Sequence, residues 1–266
     1  MKSLAHLGNM TGKVALITGG VGHLGAAMGE ALAEAGAQII VLDLDQKKAQ
    51  EAAFHLKGAY GGRHVGISVD LSKKEDIEKV PQCIREHFEQ LDVLINCAAL
   101  VGTSDLKGWA TPFEEQDFFT WEKALEVNLT GAFYLIQQCK KLMDKSNSAS
   151  IINVSSIYGI SGQKVSLYDG LGYLTPAAYA VSKGGLVQLT RYLATVLAPN
   201  IRVNCITPGG IERNQGEVFA ERYEAMTPLG RMGNEEDFKG VVHFLASSLS
   251  SYVTGQNVIV DGGWSL

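Results

Sequence analysis

The sequence predicts an α/β fold: a single domain with a doubly wound parallel sheet of seven strands flanked by helices. Short apolar runs rich in Val and Ile alternate with longer amphipathic stretches along most of the 266 residues. Such alternation is typical of parallel strands that are buried on both faces and joined by helices. No Gly/Ser-rich or Pro-rich linker interrupts it, and 46% of the residues are hydrophobic. We therefore expect one domain rather than two.

The predicted strands are bounded by Gly, Asp or Asn. In chain order they are Val14–Thr18, Ile39–Leu42, His64–Val69, Val93–Asn96, Ser150–Val154, Arg202–Ile206 and Asn257–Val260. The predicted helices cover residues 23–36, 46–57, 73–89, 119–145, 177–198 and 234–247. Residues 1–12 are expected to form an N-terminal extension, and residues 13–266 a single Rossmann-type domain.

Three stretches without a clear period, 99–118, 157–176 and 208–232, each follow a predicted strand. In an open α/β sheet, ligands bind beyond the carboxyl ends of the strands. These stretches should therefore border a binding site, and 208–232 should fold over a substrate as a lid.

Composition and charge exclude several classes of function. The formal net charge is −5 without a basic tail or stripe, which argues against nucleic acid as a partner. The four cysteines form no C-x-x-C pair, so neither a metal site nor a disulfide framework is expected. Since the sequence contains neither a run of about 18 apolar residues nor a signal-peptide pattern, we expect no membrane segment. The expectation is a cytoplasmic protein that acts on a small molecule.

A glycine-rich turn follows the first predicted strand, in the run V-A-L-I-T-G-G-V-G-H-L-G from Val14 to Gly25. Glycines at 19, 22 and 25 would let the backbone turn sharply and approach a pyrophosphate closely. The N-terminus of the next helix would then present free N–H groups to the phosphates, with His23 and Leu24 in its first turn. A tight strand-to-helix turn without a ligand is the alternative interpretation. The candidate cofactor residues here are Gly19, Gly22, His23, Leu24 and Gly25.

Asp43 ends the second predicted strand. An acidic residue there can accept hydrogen bonds from the adenosine ribose hydroxyls, and its charge would repel a 2′-phosphate. The sequence therefore favours NAD over NADP. The alternative is that Asp43 only caps the following helix. Asp70 and Leu71, after the third strand, are weaker candidates for contacts with the adenine.

Tyr179 and Lys183 lie four residues apart at the start of a predicted helix, which places them on one face. A free tyrosine has a pKa of about 10, and a nearby ammonium should lower that pKa toward the working pH. Tyr179 could then exchange a proton with an alcohol or ketone. Because Y-x-x-x-K alone is a common chance pattern, the prediction depends on the residues around it.

Other polar residues occur where such a site needs them. Ser156 follows a strand end, where a substrate oxygen would lie, and Pro208-Gly209 ends another strand. Asn128 interrupts a predicted helix, and asparagine is unfavourable in a helix interior. A role in the site would explain an asparagine at this position, and a simple buried hydrogen bond is the alternative explanation.

Together these residues resemble the short-chain dehydrogenase/reductase family, and the resemblance extends from Lys13 to Gly263. It implies that Tyr179 is the catalytic acid/base, that Lys183 lowers its pKa and holds the nicotinamide ribose, and that Ser156, rather than Ser155, orients the substrate oxygen. It also implies that Asn128 holds a water in a proton relay. Further cofactor contacts are implied for Asn96, Ala98, Pro208, Gly209 and Ile211.

This sequence departs from the family pattern at several points. His23 takes a position that is commonly glycine, and Cys97 and Ala99 replace common residues after the fourth strand. The segment between Ser156 and Tyr179 is longer than usual. Aromatic residues beside hydrogen-bonding groups would suit a polyhydroxylated ring such as a sugar, and this region is similar to oxidoreductases of flagellin modification and surface sugars. Packing of these segments on each other or on another subunit is the alternative. The candidate substrate residues are Tyr158, Tyr168, Tyr173 and Arg213.

The leading hypothesis is NAD-dependent hydride transfer at a secondary alcohol or ketone. A second is an epimerase or dehydratase of sugars that retains its NAD, which the T-G-x-x-G-x-x-G spacing would allow. A third is a nucleotide-binding regulator without catalysis, against which the complete Ser/Tyr/Lys set argues. The resemblance also implies a homo-oligomer, either a tetramer or a dimer.

Overall fold

A computed structural model describes residues 1–101, 104–213 and 215–266. The predicted parallel sheet of seven strands is confirmed, with the order β3-β2-β1-β4-β5-β6-β7. All neighbouring strands in it pair in parallel. The strands are β1 Val14–Thr18, β2 Gln38–Asp43, β3 Val65–Ser68, β4 Val93–Asn96, β5 Ala149–Val154, β6 Ile201–Pro208 and β7 Asn257–Val260.

The strand order reverses direction between β1 and β4, which creates a crevice at their carboxyl ends. In the register of the sheet, Thr18 pairs with Asn96, and Asn96 pairs with Asn153. The last polar residues of three central strands therefore lie side by side at the mouth of this crevice.

Helices cover both faces of the sheet. One apolar core lies beneath α4, α6 and α7, and the other beneath α2, α3 and α9, where alternate residues of β1 such as Leu16 and Ile17 point to opposite sides. The helices are α1 Leu4–Gly8, α2 His23–Glu34, α3 Gln46–Tyr60, α4 Lys74–Arg85, α5 Phe118–Leu125, α6 Gly131–Met143, α7 Ala177–Val196, α8 Glu217–Ala225 and α9 Lys239–Ala246. None of the helices in the described part of the chain has the length and hydropathy to cross a bilayer.

Two sequence predictions about helices were wrong in detail. The helix expected over 119–145 is two helices, α5 and α6, joined by a π turn at Glu126–Thr130. The stretch 208–232, expected to be irregular, contains α8, whose buried residues are Phe219 and Tyr223. Within that stretch Asn214 lies outside the described residues, as do 102 and 103 of the stretch 99–118.

Residues shortly before β1 pack against the rest of the structure. Met10 is 2% exposed within the core beneath α2 and α9. Its backbone N–H donates to the carbonyl of Ala35, and His243 of α9 hydrogen-bonds to the carbonyl of Gly8 at 2.6 Å. These contacts fix the entry of the chain into β1.

Candidate active site

The turn after β1, residues 19–25, is called the nucleotide turn after the ligand that the sequence predicts for it. It has no room for side chains at Gly19 and Gly25. Gly19 has a φ of +65°, and a Cβ there would lie 2.9 Å from the Cα of Ala98. A Cβ on Gly25 would overlap the carbonyl oxygen of Gly19. The backbone can therefore fold tightly against the end of β4 only because glycine occupies these positions.

The N-terminus of α2 opens onto this turn. Gly22 precedes His23 and Leu24, and no side chain of the described residues caps the helix. The N–H groups of its first turn are therefore available for an anion, and the helix dipole favours negative charge there. A turn that excludes side chains and a helix end without a cap both fit the diphosphate of a dinucleotide.

Asp43 ends β2 beside the turn. Its Oδ2 accepts a hydrogen bond from the backbone N–H of Val21 at 3.2 Å, and its Oδ1 accepts one from Leu44 at 2.8 Å. The next helix is capped instead by Asp45, which accepts from the N–H groups of Lys47 and Lys48. Capping therefore does not explain Asp43, whose carboxylate is bonded to the backbone of the turn after β1.

Asp70 and Leu71, the weaker adenine candidates, are engaged with their own surroundings. Asp70 Oδ1 accepts from the backbone and the hydroxyl of Ser72, and Lys73 lies 3.4 Å from Oδ2. Burial opposes ionisation, but these partners outweigh it and lower the pKa of Asp70. Leu71 is 7% exposed and belongs to the apolar core, so only its backbone can face a ligand.

Hydrogen bonds order the end of β4. The Thr18 hydroxyl accepts from the N–H groups of Cys97 and Ala98, each at 3.0 Å. The Asn96 amide donates to Asn153 Oδ1 at 2.9 Å, and Asn96 Oδ1 is buried without a hydrogen-bond partner among the described residues. Burial raises the pKa of the Cys97 thiol to about 11, so this departure from the family pattern adds no thiolate near pH 7.

Lys183 is buried beside Tyr179 on the first turns of α7. Its Nζ lies 5.7 Å from the centroid of the Tyr179 ring and donates to the carbonyl of Val154 at 2.7 Å. Burial lowers the pKa of Lys183 to about 8. Burial also raises the pKa of Tyr179, although a hydrogen bond with Ser156 opposes this shift. Desolvation therefore decides the direction of the pKa shift of Tyr179, and the predicted lowering of this pKa by Lys183 is wrong.

The two adjacent serines have different partners. Ser155 Oγ donates to the carbonyl of Lys183 at 2.8 Å, so it holds β5 against the backbone of α7. Ser156 Oγ accepts from the N–H of Tyr158 at 3.2 Å. Its hydrogen bond with Tyr179 acts to lower the pKa of that tyrosine. Of the two hydroxyls, that of Ser156 is the one placed beside the tyrosine.

The side-chain oxygen and both amide hydrogens of Asn128, in the π turn, form hydrogen bonds. Its Oδ1 accepts from the N–H of Leu100 at 2.7 Å, while its amide donates to the Leu100 carbonyl and to Ser182 Oγ. Ser182 Oγ in turn donates to the carbonyl of Tyr179. Both amide hydrogens are engaged, so the Asn128 side chain could hold a water only by accepting a hydrogen bond from it.

The residues after β6 are held by backbone pairing. β6 ends at Pro208, and the N–H of Gly209 donates to the carbonyl of Val260 in β7. Ile211 pairs with Gly233 in an isolated parallel bridge. Backbone pairing thus fixes Gly209 against β7 and Ile211 against Gly233.

The segment before α7 packs into an aromatic cap over the site. Tyr168 is 7% exposed, its ring contacts those of Tyr173 and Phe219, and its hydroxyl bonds to those of Tyr158 and Thr175. Most of this cap was not predicted, because it includes residues of α8 and of the C-terminal segment. Its buried members are Ile157, Leu167, Tyr168, Phe219, Tyr223, Met232 and Trp264.

Arg213, expected near an anionic group of a substrate, forms an ion pair within the protein. Its Nη2 lies 2.7 Å from Glu235 Oε1, and His23 Nδ1 lies 3.4 Å from the same oxygen. Glu235 begins the 3₁₀ turn Glu235–Phe238 before α9, and no residue of this turn was predicted to belong to the site.

Known proteins resemble this chain over nearly its whole length. The family model described as enoyl-(acyl carrier protein) reductase matches residues 20–265. A 3-oxoacyl-(acyl-carrier-protein) reductase from Aquifex aeolicus is 34% identical over 96% of this chain and 98% of its own. An NAD-dependent glycerol dehydrogenase from Listeria innocua is 31% identical over 97% of this chain and 96% of its own.

Solved structures agree with these matches. A short-chain type dehydrogenase/reductase from Mycobacterium marinum has a TM-score of 0.87 at 28% identity and covers 98% of this chain and 99% of that one. A gluconate 5-dehydrogenase from Burkholderia cenocepacia, in complex with NADP and tartrate, also has a TM-score of 0.87, at 26% identity, with 99% of both chains covered. The crevice, the Ser/Tyr/Lys set and these matches lead to one conclusion: the chain belongs to the short-chain dehydrogenase/reductase family of oxidoreductases.

Proposed function

We propose that this protein interconverts a secondary alcohol and a ketone with a nicotinamide dinucleotide, NAD in preference to NADP. The observation that carries the proposal is the placement of Tyr179, Lys183 and Ser156 around one buried point at the carboxyl ends of β4 and β5. A bound dinucleotide would supply the hydride donor or acceptor.

The residues of this chain would handle the proton and the oxygen. Ser156 would donate a hydrogen bond to the substrate oxygen, and Tyr179 would give a proton to that oxygen in reduction or take it in oxidation. Lys183, as an ammonium, would stabilise the phenolate and hold the nicotinamide ribose. Asn128 would hold the surrounding backbone and position the relay water.

Asp43 supports NAD as the cofactor. A carboxylate at the end of β2 favours free ribose hydroxyls and repels a 2′-phosphate. The relatives named above differ on this point, since the Listeria protein is named NAD-dependent and the Burkholderia structure contains NADP. The proposal therefore depends on this chain's own carboxylate.

The aromatic cap supports a polar, hydroxyl-bearing substrate. Tyr158, Tyr168 and Thr175 form a row of linked hydroxyls, and such groups can donate to or accept from a sugar or polyol. Tyr173, on the edge of the cap, offers a ring for contact with a sugar face. The subgroup of flagellin-modification and surface-sugar oxidoreductases stays a prediction.

We also propose a homo-oligomer, a tetramer or a dimer. Large apolar side chains lie exposed on α5, α6 and α7, which is unfavourable for a monomer in water. Light scattering after gel filtration would give the mass. The exposed residues are Phe118, Phe119, Phe133, Val181, Tyr192 and Val196.

Turnover of the purified protein tests the function. Over a panel of sugars, sugar phosphates and polyols, NAD reduction should depend on Tyr179, and Tyr179→Phe should remove most turnover while cofactor binding persists. Full activity in this variant would refute the acid/base assignment. If product formed without release of NADH, the cofactor-retaining epimerase or dehydratase would be the better description.

A further inference from the structure

A chain of three charged or titratable groups lies beside the nucleotide turn. Glu235 Oε1 is shared by Arg213 at 2.7 Å and by His23 at 3.4 Å. His23 is the first residue of α2, so this carboxylate lies against the helix end where the proposed function puts the diphosphate.

A carboxylate here opposes the binding of that ligand. Like charges repel, and the side chain of Glu235 is only 31% exposed, which limits screening by solvent. Something must offset its charge if an anion is to bind at this helix end.

Arg213 is suited to that task and to binding the anion itself. Its side chain is 25% exposed, and its guanidinium is held by Glu235 and by the carbonyl of Glu212. Its backbone N–H donates to Gln215 Oε1 at 2.7 Å, which fixes the start of the side chain. A planar guanidinium can bond two phosphate oxygens at once.

Building on the proposed function, we propose that Arg213 is a ligand of the dinucleotide's diphosphate and that Glu235 competes with the diphosphate for it. In the free protein the guanidinium bonds to the carboxylate; with the dinucleotide bound, it donates to phosphate oxygens. Glu235 thus lowers cofactor affinity, and the Arg213–Glu235 pair sets how readily the dinucleotide leaves.

Calorimetric titration with NAD, ADP-ribose and adenosine tests this inference without a substrate. Arg213→Met should weaken binding of ADP-ribose about tenfold, since a charge-assisted hydrogen bond is lost, and leave adenosine unchanged. Glu235→Gln should tighten ADP-ribose. Lys239→Met is the matched control, because it removes a positive charge from an ion pair with Glu30 of α2 and should change neither ligand.

The double variant Arg213→Met with Glu235→Gln separates the two roles of the arginine. If Arg213 is a phosphate ligand, ADP-ribose binding stays weak; recovery of full affinity would mean that Arg213 only neutralises Glu235 and would overturn the inference. Equal weakening of adenosine and ADP-ribose by Arg213→Met would overturn it as well. Wild-type protein that binds neither NAD nor ADP-ribose would instead refute the proposed function.

Discussion

The carboxylate of Asp43 accepts a hydrogen bond from the backbone N–H of Val21 at 3.2 Å, which joins the end of β2 directly to the nucleotide turn. Asp43→Ser should remove the repulsion of a 2′-phosphate while keeping a hydrogen-bonding side chain. We expect the ratio of kcat/KM with NADP to that with NAD to rise about tenfold or more. Asp45→Ser, which preserves a cap for α3, is the control. An unchanged ratio in the Asp43 variant would refute its role in cofactor choice.

Lys183 should impose an alkaline limit on ketone reduction. Burial lowers its pKa to about 8, so the ammonium is present below that pH and lost above it. Tyr179 stays protonated across this range, since burial raises its pKa. The pH profile of kcat/KM for the ketone should therefore be level below pH 8 and fall above it. Lys183→Arg keeps its charge, so its residual activity should lack that fall. The same fall in the arginine variant would point to another group.

Asn128→Leu should destabilise the protein. The substitution leaves the N–H and the carbonyl of Leu100 without their partner, and we expect the free energy of unfolding to drop by about 3 kcal/mol. Urea denaturation followed by circular dichroism measures this change. Tyr134→Phe, which removes a surface hydrogen bond to Glu78, is the control and should cost less than about 1 kcal/mol. Equal stability of the two variants would show that the π turn does not depend on Asn128.

Trp264→Ala should loosen the aromatic cap. The Trp264 ring is fully buried, stacks on Tyr223 at 5.6 Å between centroids, and lies 4.1 Å from Lys164 Nζ. Its loss should cost about 3–5 kcal/mol of local packing. Hydrogen exchange in α8 should accelerate and the substrate KM should rise, whereas the Kd for NAD stays constant. Tyr252→Ala, at a fully exposed tyrosine, serves as the control. Unaltered exchange in α8 would contradict this view of the cap.

The sheet and the centre of the site could be predicted because their signals are local. β1 is a buried run that stops at a glycine, and its bounds, Val14–Thr18, agree with the prediction. Tyr179 and Lys183 share a helix face by spacing alone. These features need no knowledge of what packs on them.

Other features depend on distant partners and could not be predicted. In the π turn, the Asn128 side chain is hydrogen-bonded to Leu100, which lies 28 positions away in the sequence. Phe219 and Tyr223 of α8 form an apolar face only when Tyr168 and Trp264 pack on them. The pKa of Tyr179 was expected to be lowered because its neighbour's charge was visible in the sequence, whereas the depth of its burial was not.

Contacts between the end of β5 and α7 have a consequence for the evolution of substrate range. Ser155 bonds to the carbonyl of Lys183, and a Cβ on Gly159 would lie 2.6 Å from the Lys183 carbonyl carbon. The chain is thus fastened to α7 before the segment 160–176 begins, and it re-enters α7 immediately after that segment ends. The segment 160–176 can therefore change in length or be replaced while Tyr179 and Lys183 keep their positions. Recombination at the two ends of the segment 160–176 is therefore a route by which proteins with the same Ser/Tyr/Lys set acquire new substrates.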